Sequence, residues 1–91
     1  MNIVQTRYFA KSYKKLHANQ IKLVNDAIRH ILSDPQCGEE KKSDLAGVLV
    51  YKFRVKDQQF LLAYEYDKEN LFLLALGVHE NFYRDLKKVR S

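Results

Sequence analysis

The spacing of apolar residues predicts an α+β domain in the order β-α-α-β-β-β-α, a helical hairpin packed on a mostly antiparallel sheet. Two observations carry this. Apolar residues recur every three or four positions through the first third of the chain, the period of a helix. After Gly38 the period drops to two, the signature of strands with one covered face.

Each element has its own reason. Ile3 and Val4 make Asn2–Thr6 a short strand, and the Thr6 hydroxyl is placed to cap the helix after it. Phe9, Tyr13 and Leu16 form one helix face, with Lys11, Lys14 and Lys15 directed elsewhere. Ile21, Val24, Ile28 and Ile31 form a second, which Asp34-Pro35 ends because a residue before proline is pushed out of the helical region. A link around His17–Asn19 closes the hairpin. Leu49, Tyr51, Phe53 and Val55 then alternate with Val50, Lys52 and Arg54. Asp57 and its neighbours turn the chain into Phe60, Leu62, Tyr64 and Tyr66. Asp67–Asn70 turns it again into Leu71–Val78, apolar on both faces and therefore central or covered. Asn81–Val89 closes as a short helix with Phe82, Leu86 and Val89 on one side.

Composition bounds the class. With 91 residues, 46% hydrophobic and 12% aromatic, the chain supports a single domain over residues 1–91. The lone Cys37 excludes an internal disulfide and a cysteine-based zinc site, and reads as a loop thiol. The longest apolar run, Leu71 to Leu76, falls far short of the roughly 20 residues that span a bilayer. The start Met1-Asn2-Ile3-Val4-Gln5 has no signal-peptide pattern, so a cytoplasmic domain without membrane partners is expected. The net charge of +5 is concentrated at the two ends: residues 1–33 carry +5, 34–69 carry −2 and 70–91 carry +2. Such a balance suits a nucleic-acid or acidic-protein partner.

Alternation also sorts the polar residues. If Tyr51, Phe53 and Val55 face the helices, Lys52 and Arg54 stand on the opposite, open face, and Glu65 stands with them, close enough to pair across strands. His79 follows the last strand, and Tyr83 lies one helical turn further on. Together these groups suit RNA cleavage without a metal or other cofactor. A base takes the 2′-hydroxyl proton, a cation steadies the phosphorane charge, and an acid protonates the leaving 5′-oxygen. Histidine titrates in the right range, and the arginine fork grips two phosphate oxygens. Lys41 and Lys42, just before a strand, are candidates for phosphate contacts. Each has an ordinary reading too: solvent-facing lysines and arginine, a surface ion pair at Glu65, a turn residue at His79. His17 and His30 are given no role.

The ordered set Asp44-Leu45-Ala46-Gly47, Tyr51-Lys52-Phe53-Arg54-Val55, Tyr64-Glu65 and Leu76-Gly77-Val78-His79-Glu80-Asn81-Phe82-Tyr83 resembles the RelE/ParE superfamily of bacterial toxins. The likeness is close over the C-terminal half, and the two-helix start agrees with it. It implies the RelE-like fold and a type II toxin held inactive by a cognate antitoxin. RelE-like members cut mRNA in the ribosomal A site, whereas ParE-like members poison DNA gyrase. Arg54 matches the strand arginine used on phosphate. His79 and Tyr83 match the post-strand histidine and terminal aromatic, and Lys52 a neighbouring basic position. Where RelE-like nucleases place a second arginine early in the next strand, this chain has Gln58-Gln59-Phe60. The resemblance thus implies a ribosome-dependent mRNA endoribonuclease, or alternatively a gyrase inhibitor without nuclease chemistry.

Overall fold

Thr6 sets the first corner of the chain. Its hydroxyl accepts a hydrogen bond from the Phe9 amide (3.1 Å) and donates one to the Leu74 carbonyl (2.5 Å), so one side chain caps a helix and ties it to the sheet. The computed structural model describes residues 1–90, except the side chains of His79, Glu80, Asn81, Asp85 and Arg90. Strand β1 (Asn2–Gln5) leads into α1 (Arg7–Lys14) and α2 (Ala18–Ser33). A 3₁₀ turn at Pro35–Cys37 precedes β2 (Glu39–Glu40), and another at Ser43–Leu45 precedes β3 (Leu49–Val55). Strands β4 (Gln58–Tyr66) and β5 (Asn70–Val78) come next, then α3 (His79–Arg90).

The strands form one sheet in the order β1-β5-β4-β3-β2, with β1 parallel to β5 and the other pairs antiparallel. The expected α+β class and mostly antiparallel sheet are therefore present. Two boundaries differ and one strand is added. The helical link is Lys15–His17, because the His17 amide donates to the Gln20 side chain (2.8 Å) and starts α2 at Ala18. The closing helix begins two residues earlier, at His79. Strand β2 has no counterpart in the sequence pattern, since two residues carry no period.

Two apolar clusters sandwich the sheet. On one face α1 and α2 bring Phe9, Val24 and Ile31 onto Leu49, Val55, Phe60, Leu62, Tyr64, Leu71, Leu73 and Leu76. On the other, Phe82 and Leu86 of α3 cover Val48, Val50, Leu61, Ala63, Leu74 and Ala75. Strand β5 feeds both faces through a bulge. Ala63 pairs with Ala75 and Tyr64 with Leu73, leaving Leu74 as the extra residue whose carbonyl Thr6 takes up. The second face of the sheet is thus not open as expected. The Phe82/Leu86/Val89 stripe, read correctly as one side of a helix, packs on β4 and β5 and leaves the β3 margin and the β1 edge of that face uncovered.

Candidate functional site

The uncovered β3 margin carries Lys41, Lys52 and Arg54. Glu39 of β2 pairs with Val50 of β3, and the Lys41 amide extends the ladder by donating to the Val48 carbonyl (2.8 Å). Alternation then turns Glu39 and Lys41 toward the α3 side, together with Lys52 and Arg54, while Glu40 turns to the other face. The Lys41 ammonium donates to Glu39 Oε1 (3.0 Å) and stands 5.2 Å from the centre of the Tyr83 ring, a cation–π contact. The other Glu39 oxygen lies 3.9 Å from Lys52 Nζ. Lys41 is held in place, with a side chain only 19% exposed, whereas Glu39 is 62% and Lys52 43% exposed. The hydrogen bond from Lys41 and the two ammonium charges hold the Glu39 carboxyl below its usual range, and Glu39 and Tyr83 push the Lys41 ammonium up. Both are therefore charged at neutral pH.

Two residues along β3, about 7 Å from Lys52, stands Arg54. Its Nη2 donates to the Asp57 carbonyl (3.1 Å), folding the guanidinium over its own turn, in which Lys56 takes a left-handed φ of 57°. Tyr83 is half-buried on α3, edge-on to Phe82 with ring centres 5.2 Å apart. The His79 side chain lies outside the described residues, but its backbone position is informative. Arg54 pairs with Gln59 and Phe60 with Val78, so the chain at His79 leaves β5 beside Gln59. That is two strand spacings, about 10 Å, from Arg54, and one helical turn ahead of Tyr83.

Two expected site members stand apart. Glu65 shares the face, as its parity predicts, but the register separates it from the lysine and arginine. Lys52 pairs with Leu61 and Arg54 with Gln59, whereas Glu65 lies opposite Phe72, four residues or about 13 Å further along β4. It lines a groove beside β1 with Val4, Gln5 and Thr6. Lys42 is exposed at the start of the second 3₁₀ turn, past the β2 alternation. Sequence reasoning missed Glu39, whose only signal was its place in the run Glu39-Glu40-Lys41-Lys42. Chemically, the margin offers a row of three cations with an aromatic beside them, groups of the kind that can hold a phosphate backbone and stack a base. A cleft of about 560 Å³ between Gln36, Gly38, Glu40, Gly47, Leu49 and Tyr66 lies on the far side of β2 and shares no lining residue with that margin.

A family model for the ParE-like toxin of type II bacterial toxin-antitoxin systems matches residues 3–87. The chain belongs to that family. Solved structures similar to this ParE-like toxin include a double arginine-to-alanine mutant of the E. coli toxin RelE in the free state. The two share 18% identity over 96% of this chain and 94% of RelE, with a TM-score of 0.74. The intact E. coli RelBE toxin-antitoxin complex has a chain 17% identical over 87% of this one and 96% of its own, at 0.68. A YoeB/ParE toxin from Agrobacterium tumefaciens is 23% identical over 87% and 99%, at 0.66. At these identities the likeness establishes the RelE fold. Comparison with curated proteins gives no significant match.

Proposed function

We propose that this toxin is a ribosome-dependent mRNA endoribonuclease whose active surface is the β3 margin beside α3. The observation that supports this best is the convergence of Lys41, Lys52 and Arg54 on one exposed strip next to Tyr83. Arg54 clamps the scissile phosphate, and Lys52 and Lys41 supply the charge that a second strand arginine gives in RelE-like enzymes. Tyr83 stacks on a base of the message. His79 moves the proton. The 2′-hydroxyl gives up its proton and attacks the neighbouring phosphorus. The bond to the 5′-oxygen then breaks as that oxygen is protonated, leaving a 2′,3′-cyclic phosphate. The nucleophile belongs to the substrate, so the reaction needs no cofactor. Glu65 has no part in it.

The partner of the toxin is a cognate antitoxin, as in the RelBE complex that the fold resembles. Its binding segment is acidic, to match a chain of net charge +5. Toxin, ribosome and message meet in the cytoplasm. A second reading, inhibition of DNA gyrase without chemistry, is favoured by the ParE-like family and by Gln58-Gln59 in place of the second arginine. Induced expression separates the two. Rapid arrest of translation with cleaved mRNA supports the nuclease, whereas an SOS response with filamentous cells and intact mRNA refutes it.

A further inference from the structure

The cations of the margin are not empty-handed. One carboxylate, Glu39, places one oxygen on Lys41 (3.0 Å) and the other toward Lys52 (3.9 Å), bridging one ammonium just past β2 and one from β3. A phosphodiester would present two oxygens to the same pair. The two sides of this arrangement differ in mobility. Lys41 is largely covered and packed over Tyr83, and Lys52 springs from the middle of the seven-residue strand β3, so the fold fixes one ammonium and the root of the other. Glu39 is mostly exposed, sits in a strand of only two residues, and its carboxylate is held by surface ion pairs, which are individually weak.

We propose that Glu39 is a built-in competitor for a phosphate subsite made by Lys41 and Lys52. Its carboxylate occupies the subsite in the free toxin and swings aside when an RNA phosphodiester enters. The assignment rests on the nuclease reading and deepens it, naming the residue that sets the affinity of the surface for RNA. Electrostatics gives this two consequences. The carboxylate keeps the lysines paired and ordered in the absence of substrate. It also lowers affinity for any single phosphate, so that binding depends on several phosphates held at once, as on a message threaded through a ribosome. Glu40 is the internal control, one residue away with the same charge and facing the opposite side of β2.

The test is fluorescence-anisotropy titration of a labelled 2′-O-methyl hexaribonucleotide, which cannot be cleaved, at low and moderate salt. Wild type is compared with Glu39→Gln, Glu40→Gln, Lys41→Gln/Lys52→Gln, and the triple variant adding Glu39→Gln to that pair. Glu39→Gln is expected to bind about 3–10-fold more tightly than wild type, and Glu40→Gln less than about twofold. The gain from Glu39→Gln disappears when both lysines are already glutamine. Equal gains from both glutamate variants, a gain that survives loss of the lysines, or no binding by any variant would each overturn the proposal. Because the probe has no free 2′-hydroxyl, the titration reads the subsite and not the reaction. Tighter binding by Glu39→Gln from a protein that cuts no ribosome-bound mRNA would support the competitor role while refuting the nuclease.

Discussion

Removing a single oxygen from Tyr64 should destabilise the protein about as much as emptying part of its core. Tyr64 is fully buried, and its hydroxyl donates to the Pro35 carbonyl (2.6 Å) while accepting from the Gly38 amide (2.9 Å). Burial holds the phenol in its protonated form well past the usual range, so it is a hydrogen-bond donor at any working pH. Tyr64→Phe keeps the ring and strands two backbone groups. Each costs roughly 1–3 kcal/mol if left unmet. The cleft at Gly38 admits water to that side, so a total near the low end, about 2–3 kcal/mol, is expected. Total stability for this length is roughly 5–13 kcal/mol. With a urea m-value of about 1 kcal/mol per molar, the midpoint should fall by about 2–3 M at unchanged slope. A shift below about 0.5 M would refute the argument, because it would mean that neither backbone group depends on the phenol. The same turn launches β2, so Tyr64 also fixes the strand that carries Glu39 and leads into Lys41. Gly38 admits no side chain there, since a Cβ would lie 2.7 Å from the Tyr64 oxygen.

Three further outcomes can be checked by unfolding experiments. Leu86→Ala and Leu62→Ala, one in each cluster and both fully buried, should each cost about 2–5 kcal/mol in urea unfolding; a small effect from Leu86→Ala alone would mean that α3 does not pack on the sheet. Lys56→Gly should raise stability slightly, by about 0.5 kcal/mol, because relief of the left-handed backbone slightly outweighs the added chain entropy; thermal unfolding that shows a loss contradicts the left-handed turn. The Asp67 carboxyl lies below its ordinary value because the Glu69 and Asn70 amides donate to it (2.9 and 2.8 Å). Its contribution is therefore complete above the unfolded pKa of about 4 and is lost as pH falls through the lower folded value. Asp67→Asn should flatten the acid limb of the stability profile below about pH 4, and an unchanged limb would remove Asp67 from the account.

Much of the fold was legible because the apolar period changes at Gly38 and each turn carries its own chemistry. Thr6 as a cap, Asp34-Pro35 as a stop and Asp67 as a turn former all act through neighbours in sequence, which is what a sequence shows. The site was legible in part. Parity sorted Lys52, Arg54 and Glu65 onto one face correctly, but parity repeats every two residues and says nothing of distance along the strand. The two-residue turn at Lys56-Asp57 fixes that distance, pairing Val55 with Gln58 and placing Glu65 far from Lys52. The covered second face has its origin in the same sequence facts, since β5 is apolar on both sides and α3 has one apolar stripe, yet nothing local says that the two meet. Strand β2 was least legible. Two residues have no period, and β2 pairs because Tyr64, 26 positions on from Gly38, anchors the turn before it.

The central claim is that the β3 margin cuts ribosome-bound RNA with His79 moving the proton and Arg54 holding the phosphate. It is tested most directly by primer extension on an mRNA incubated with stalled ribosomes and purified toxin, with His79→Ala and Arg54→Ala alongside. The account predicts cuts that require the ribosome and fall by about 10²–10⁴ in rate in each variant, with both variants folded as wild type. Folded wild-type protein that makes no cuts, or a His79→Ala variant that cuts at the wild-type rate, would contradict it.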